Sequence, residues 1–316
     1  MSASRGRVIA AFAVVYVIWG STYLFMRFAV ESVPPLGMSG FRFFLAGTLL
    51  YLFTRWHSGA LGETPAAWRQ HAFVGILLTA GNATISWAVT RVPTGATSLL
   101  VAMTPCWMVL FDWWRPHGHR PHGGVFAGVL LGLAGMLILV GPHSVGGAPV
   151  DPLGAGVALL GTMSWAAGSI YSRSVPKLSS SVHSSAIQLM TGGAAILLAA
   201  ILLGNFHDFH VSAVSIRSAL SLVYLVLAGS VVAFSAYMYL LGVSSPAVVA
   251  TYAFVNPIVA VLLGAVFNAE PLSPRILSAG AVIVGAVALI TLSGREGGGR
   301  AHVAADESLA PVREAP

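Results

Sequence analysis

The sequence predicts an all-α integral membrane protein with ten transmembrane helices arranged as two inverted five-helix repeats. Three observations predict it. Of the 316 residues 56% are hydrophobic and only 8% charged, apolar runs of membrane-crossing length recur ten times, and the second half of the chain echoes the first. Soluble chains are about a quarter charged. So few charges cannot coat a compact particle of this length, but they suffice where the outer surface faces lipid.

A helix crosses the ~30 Å hydrocarbon layer in about 20 residues. Apolar runs of that order, separated by Gly, Pro or charged breaks, begin with Val8 to Val30, which is too long for a signal-peptide core and has no small-residue cleavage site after it. It stays as helix 1. The others are Pro35 to Phe53, Ala72 to Val89, Thr94 to Phe111 and Val125 to Val140, then Leu153 to Tyr171, Ser185 to Leu203, Leu220 to Leu241, Ala247 to Phe267 and Ile276 to Leu292. From residue 293 to 316 the composition turns to Gly, Ala, Glu and Arg, which reads as a disordered tail.

Charge placement predicts orientation. With the N-terminus inside, the inner loops and tails hold eleven basic residues (Arg5, Arg7, Arg55, Arg69, Arg115, Arg120, Arg173, Lys177, Arg295, Arg300, Arg313) and the outer loops three (Arg91, Arg217, Arg275). Both ends of the chain are then cytoplasmic, in a bacterial-type inner membrane. The net charge of +6 is spread over short loops without a run or patch, so a nucleic-acid partner is not expected. The lone cysteine, Cys106, excludes a disulfide framework and reads as helix packing.

Sliding the second half over the first aligns Trp19 with Trp165 and Arg42 with Gln188 at a shift of 146 residues, and Thr104-Pro105 with Asn256-Pro257 at 152. The units are residues 8–141 and 152–292. An odd number of helices per unit forces the second to cross in the opposite sense. A pseudo-two-fold axis then lies in the membrane plane, and a solute site is expected near mid-membrane where the halves meet. The partners implied are a small-molecule solute and the lipid bilayer.

At Trp19-Gly20-Ser21, Pro34-Pro35 with Arg42, Asn256-Pro257, and Glu270 followed by Leu272-Ser273, the chain resembles the drug/metabolite transporter superfamily, EamA branch. The resemblance runs from about Phe12 to Leu292 in two copies. It implies a ten-helix, exporter-like fold with cytoplasmic termini and a solute drawn from amino acids, other metabolites or toxic compounds. Two departures are Gln188 where Arg42 has its repeat mate, and Ala166 where the first repeat has Gly20.

Arg42 is the most informative residue. About seven positions into helix 2 it lies ~10 Å along the axis, where an arginine costs roughly 2.5–3.5 kcal/mol on insertion scales. Two readings stay open: a structural arginine bonding helix-end carbonyls, or contact with a solute carboxylate or a gate. Asn82 and Ser86, Thr162, Trp165 and Ser169, Tyr16, Trp19 and Tyr23, and Tyr252 and Asn256 form polar and aromatic stripes at helical spacing. The candidates for the solute cavity are Arg42, Asn82, Ser86, Trp165, Tyr252, Asn256 and Trp19; the alternative for each is helix packing or an interfacial ring. Pro105 and Pro257 are candidate hinges, static kinks being the alternative.

No acid falls inside a predicted span and the histidines fall in loops, at helix ends or in the tail. Glu270 and Asp112, both at helix ends, are therefore the candidates for coupling or gating. Facilitated diffusion or exchange fits better than a carboxylate relay, with carbonyl-bound Na⁺ as an alternative. His117, His119 and His122 sit in a Gly/Pro loop whose spacing does not read as a metal site. No cofactor is expected, and no nucleophile and base are arranged for an intramembrane enzyme. A carrier leads; an enzyme or a non-transporting scaffold or receptor is the alternative.

Overall fold

A computed structural model describes residues 4–58, 63–115, 120–121, 123–140, 150–176, 178, 180–244, 249 and 251–308. The described chain is helical, without strands: α1 (Arg5–Ala29), α2 (Pro35–Ser58), α3 (Pro65–Ala88), α4 (Thr94–Val101), α5 (Thr104–Trp114) and α6 (Gly123–Val140), then α7 (Pro152–Ser172), α8 (Ser181–Leu202), α9 (Ile216–Tyr224), α10 (Ala233–Val243), α11 (Tyr252–Phe267) and α12 (Pro274–Ser308). A π-helical segment, Leu225–Val232, joins α9 to α10 into one crossing. α4 and α5 form another, broken by a turn at Ala102 and Met103. Eight described helices are long and apolar enough to span a membrane, and α11 is a shorter apolar one. With α3, which buries His71, Thr79 and Ser86, these make ten helical crossings of the bundle among the described residues.

Local chemistry sets the helix starts. Thr64, Asp151, Ser180 and Ser215 precede α3, α7, α8 and α9, and each side chain accepts a bond from a backbone N–H of the first turn. Pro65 and Pro152 occupy the first helical position, where no N–H is missed. The last helix continues through residues 293–308, where the composition predicts a disordered tail. Once a long apolar helix is formed, each added residue costs no new nucleus.

The end of the bundle where α1 starts is here the base, and the opposite end is the far end. The two halves pack reciprocally. α2 crosses α8, α6 crosses α12, the contact of α3 with α7 is mirrored by α1 with α9 and α10, and that of α1 with α11 by α7 with α4 and α5. At the α2–α8 crossing, a Cβ on Gly47 would land on the backbone of Met190, and one on Gly193 on that of Phe44. Gly47 and Gly193, and Phe44 and Met190, are each separated by the repeat shift. Only glycine permits so close a backbone approach.

The largest core cluster joins α4, α5, α6, α7 and α12 around Leu99, Met103, Cys106, Val129 and Ile283. Gly128 lies against Ile290, and Gly132 against Cys106. Ala281 and Gly285, small residues at the same four-residue spacing on α12, do not pack in this way: both are exposed, and a Cβ on Gly285 would meet nothing within 4 Å. The outer face carries exposed Leu137, Leu198, Ile201, Leu262 and Phe267, as a lipid-facing surface does.

Candidate functional site

A cavity of about 510 Å³ lies between the halves and is lined by residues of every crossing except α6 and α12. It gathers Trp19, Arg42, Asn82, Pro105, Trp165, Tyr252, Asn256 and Pro257, together with Thr162, Ser169 and Tyr23. Repeat mates face one space: Trp19 and Trp165, Arg42 and Gln188, Thr104 and Asn256, Pro105 and Pro257. Its deep wall includes buried Met26, Arg42, Ile85 and Ser98, and it reaches the surface at exposed Arg173, at the base.

Arg42 is 5% exposed. Its Nε donates to Ser230 Oγ at 2.9 Å and its guanidinium lies 4.8 Å from the Phe43 ring centroid. Nη1 is buried without a partner among the described residues. The helix-end carbonyls of the structural reading are not what holds it. Ser230 Oγ in turn donates to Leu225 O at 3.0 Å, a bond spanning five residues that matches the wider π turn. One residue away, Gly229 O accepts from Trp19 Nε1 at 3.1 Å. The π segment therefore anchors both the arginine and the indole; Leu220 to Leu241 had read as an uninterrupted helix.

The ring of Trp19 lies 5.1 Å from Tyr237 and 5.1 Å from Tyr252, which are 5.9 Å from one another. The three rings form an aromatic triangle on the cavity wall. With its amide oriented by its acceptors, Asn256 donates to Tyr16 O at 3.3 Å and Tyr252 O at 3.2 Å, tying α11 to α1. Asn82 lines the cavity, while its Oδ1 is buried without a partner among the described residues. Ser86 does not line the cavity: it is fully buried, accepts from Ser39 Oγ at 2.7 Å and donates to Asn82 O at 3.0 Å. It joins α2 to α3. Tyr16 likewise points away, its hydroxyl 2.6 Å from Thr251 Oγ1.

The two prolines differ. Pro105 opens α5 after the break, and Val101 O, the carbonyl it leaves without an N–H, accepts from Thr104 Oγ1 at 2.6 Å. Pro257 lies inside continuous α11. Neither acidic candidate lies in the cavity. Asp112 pairs with Arg115 at 2.7 Å at the end of α5. Glu270 accepts from Thr94 N at 2.8 Å, Thr94 Oγ1 at 3.0 Å and Gly95 N at 3.2 Å, capping α4 from across the halves at the far end. There the closure is completed by Arg217, 3.3 Å from Glu31 and 3.5 Å over Phe28, and by Ser218 Oγ donating to Phe28 O at 2.7 Å.

Two histidines at the base escape the sequence reading, which treats helix-end histidines as peripheral. His183 is fully buried, 2.8 Å from Glu63 and 2.9 Å from Thr54. His71 is 3% exposed, with Nε2 3.1 Å from Pro176 O and Nδ1 3.0 Å from Gln188 Nε2. A carbonyl only accepts, so Nε2 carries the proton and Nδ1 accepts from Gln188. The signal missing from the sequence is the register of α8 against α3. His117, His119 and His122 lie outside the described residues, and among the described ones no three His, Cys, Asp or Glu side chains converge as metal ligands.

A helical membrane bundle with a part-aromatic cavity between inverted halves, open at one end, is an architecture suited to a transporter. The model of the EamA-like transporter family matches residues 6–141 and 152–292, and the chain belongs to that family. It is 38% identical to the "Uncharacterized inner membrane transporter YedA" of Escherichia coli strain K12 over 279 residues, 88% of each chain. It is 25% identical to the "Probable amino-acid metabolite efflux pump" of the same strain, over 88% of this chain and 90% of that one. A solved structure described only as "Crystal structure of protein" matches at a TM-score of 0.61 and 23% identity, covering 93% of this chain and 99% of the other, a likeness of fold.

Proposed function

We propose that the chain is a secondary transporter that moves small amphipathic organic metabolites across an inner membrane by alternating access, in export or exchange, with both termini cytoplasmic. The observation that carries this reading is the cavity: about 510 Å³, walled by both repeats and reaching the surface at the base, with contacts of Arg217 with Glu31, Glu270 with Thr94 and Ser218 with Phe28 joining the halves at the far end. That volume suits a small organic solute. With the base on the cytoplasmic side, as the basic residues favour, the structure is the inward-facing state. The similarity to a protein named as an amino-acid metabolite efflux pump supports solutes of amino-acid size.

The repeats at 8–141 and 152–292 act as the two rocking bodies, Pro105 and Pro257 as paired hinges, and Arg42, Asn82, Trp165, Tyr252, Asn256 and Trp19 as the solute wall. Glu270 holds the far-end gate, and Asp112 belongs to the base.

The test is counterflow in proteoliposomes with a panel of amino acids, organic acids and organic cations, run with and without a pH gradient. Accumulation of at least one labelled solute against its own gradient is expected. No movement of any panel member by folded protein would instead identify a scaffold or receptor.

A further inference from the structure

We infer that the solute is a small organic anion: a carboxylate on an aromatic or apolar body. The inference rests on the carrier reading and narrows it to one solute class.

The cavity holds a buried cation that the protein leaves unbalanced. Among the described residues Arg42 is held by Ser230, through Nε, and by the Phe43 ring, neither of which carries a negative charge, and it lines the cavity. None of the described residues that line the cavity is an Asp or Glu, and Arg173 adds a second cation at the mouth. A buried, unpaired charge is strongly unfavourable, so an occupant that neutralises it gains most. A net charge of −1 achieves that. A zwitterion leaves the cavity as positive as before, and a cation makes it worse.

Asn82 stands beside this charge. Ser39 Oγ donates to Ser86 Oγ at 2.7 Å, which fixes the antiparallel register of α2 and α3. One helical turn toward the base from that bond, α2 presents Arg42 and α3 presents Asn82, and both residues line the cavity. Asn82 is neutral, so it leaves the charge of Arg42 for the occupant to meet.

The body of the solute has its place as well. Trp19 and Arg42 are held on consecutive residues of the π segment, Gly229 and Ser230, and Gly229 has no Cβ between them: one built there would lie 3.2 Å from Arg42 Nη2. The carboxylate site therefore adjoins the aromatic triangle of Trp19, Tyr237 and Tyr252.

Calorimetric titration of the full chain in nanodiscs with five compounds sharing one phenyl body tests the assignment. These are phenyllactate, N-acetylphenylalanine, phenylpropionate, phenylalanine and phenethylamine. Phenyllactate, N-acetylphenylalanine and phenylpropionate should bind about tenfold or more tighter than phenylalanine and phenethylamine. Asn82→Asp, which places a carboxylate beside Arg42, should move the preference to phenylalanine, and Arg42→Gln should remove the discrimination against phenethylamine. Binding of phenylalanine or phenethylamine as tight as that of phenyllactate by the unaltered protein overturns the inference. So does failure of all five compounds while the counterflow panel reveals another solute. A panel in which nothing moves overturns the carrier reading itself.

Discussion

Arg42 and Gln188 occupy equivalent places in the two repeats and face the same cavity, yet their surroundings differ. Gln188 is matched by protein, its amide donating to His71, whereas the guanidinium of Arg42 retains an unmatched Nη1. The backbone around them is symmetric, as the exchanged contacts of Gly47 and Gly193 show. Duplication thus builds a two-fold scaffold, and one pair of unlike side chains gives the chamber direction: a buried charge on the side away from the base and a neutral, hydrogen-bonded amide in the equivalent place nearer to it.

The largest effect should come from breaking the scaffold. Gly47→Leu and Gly193→Leu each drive a side chain into opposing backbone, and overpacking of this kind costs about 3 kcal/mol or more. Both should lose monodisperse protein in gel filtration to the same extent; a large difference between them would break the symmetry. Arg42→Ala should leave folded protein and lower transport by about 100-fold, a ratio typical of losing a buried charged contact made to the solute. Loss of the folded protein instead would assign the guanidinium to structure. Gln188→Ala, measured beside it, should lower transport by about tenfold or less, since it removes a neutral bond to His71.

A smaller and different change is expected from Asn256→Ala, which removes an amide from the wall and its tie to Tyr16 O. Relative rates across the solute panel should shift, and unchanged rates for every solute would take Asn256 out of the recognition surface. The smallest effect belongs to Arg217→Ala at the far end. Both partners are substantially exposed, 50% and 38%, and such pairs contribute ~0–1 kcal/mol. Thermal denaturation should show little change, while the rate of opening at that end rises.

Much of the fold is legible in the sequence because lipid leaves few choices. Composition, run length and basic loops determine the crossings, and Trp19 with Trp165 and Pro105 with Pro257 betray the repeat. The cavity wall is legible to the extent that polar stripes at helical spacing point inward, as Asn82, Trp165 and Asn256 do. Ser86 misleads, because a hydroxyl one turn from Asn82 serves equally well as glue to Ser39. The π segment leaves no mark in periodicity: apart from Gly229 and Ser230 it is uniformly aliphatic, and the partners of those two residues, Trp19 and Arg42, come from other helices. His71 and His183 stay hidden for the same reason, since only tertiary register brings them to Gln188 and Glu63.

The widened turn between α9 and α10 holds a surplus residue whose removal from the spiral has a calculable outcome. Tightening Leu225–Val232 to ordinary pitch would rotate everything beyond it by roughly 100° per expelled residue. Tyr237 would swing out of its triangle, and the carbonyl and hydroxyl that grip the indole and the guanidinium would part. A single winding change in one helix is thereby geared to both halves of the chamber's wall.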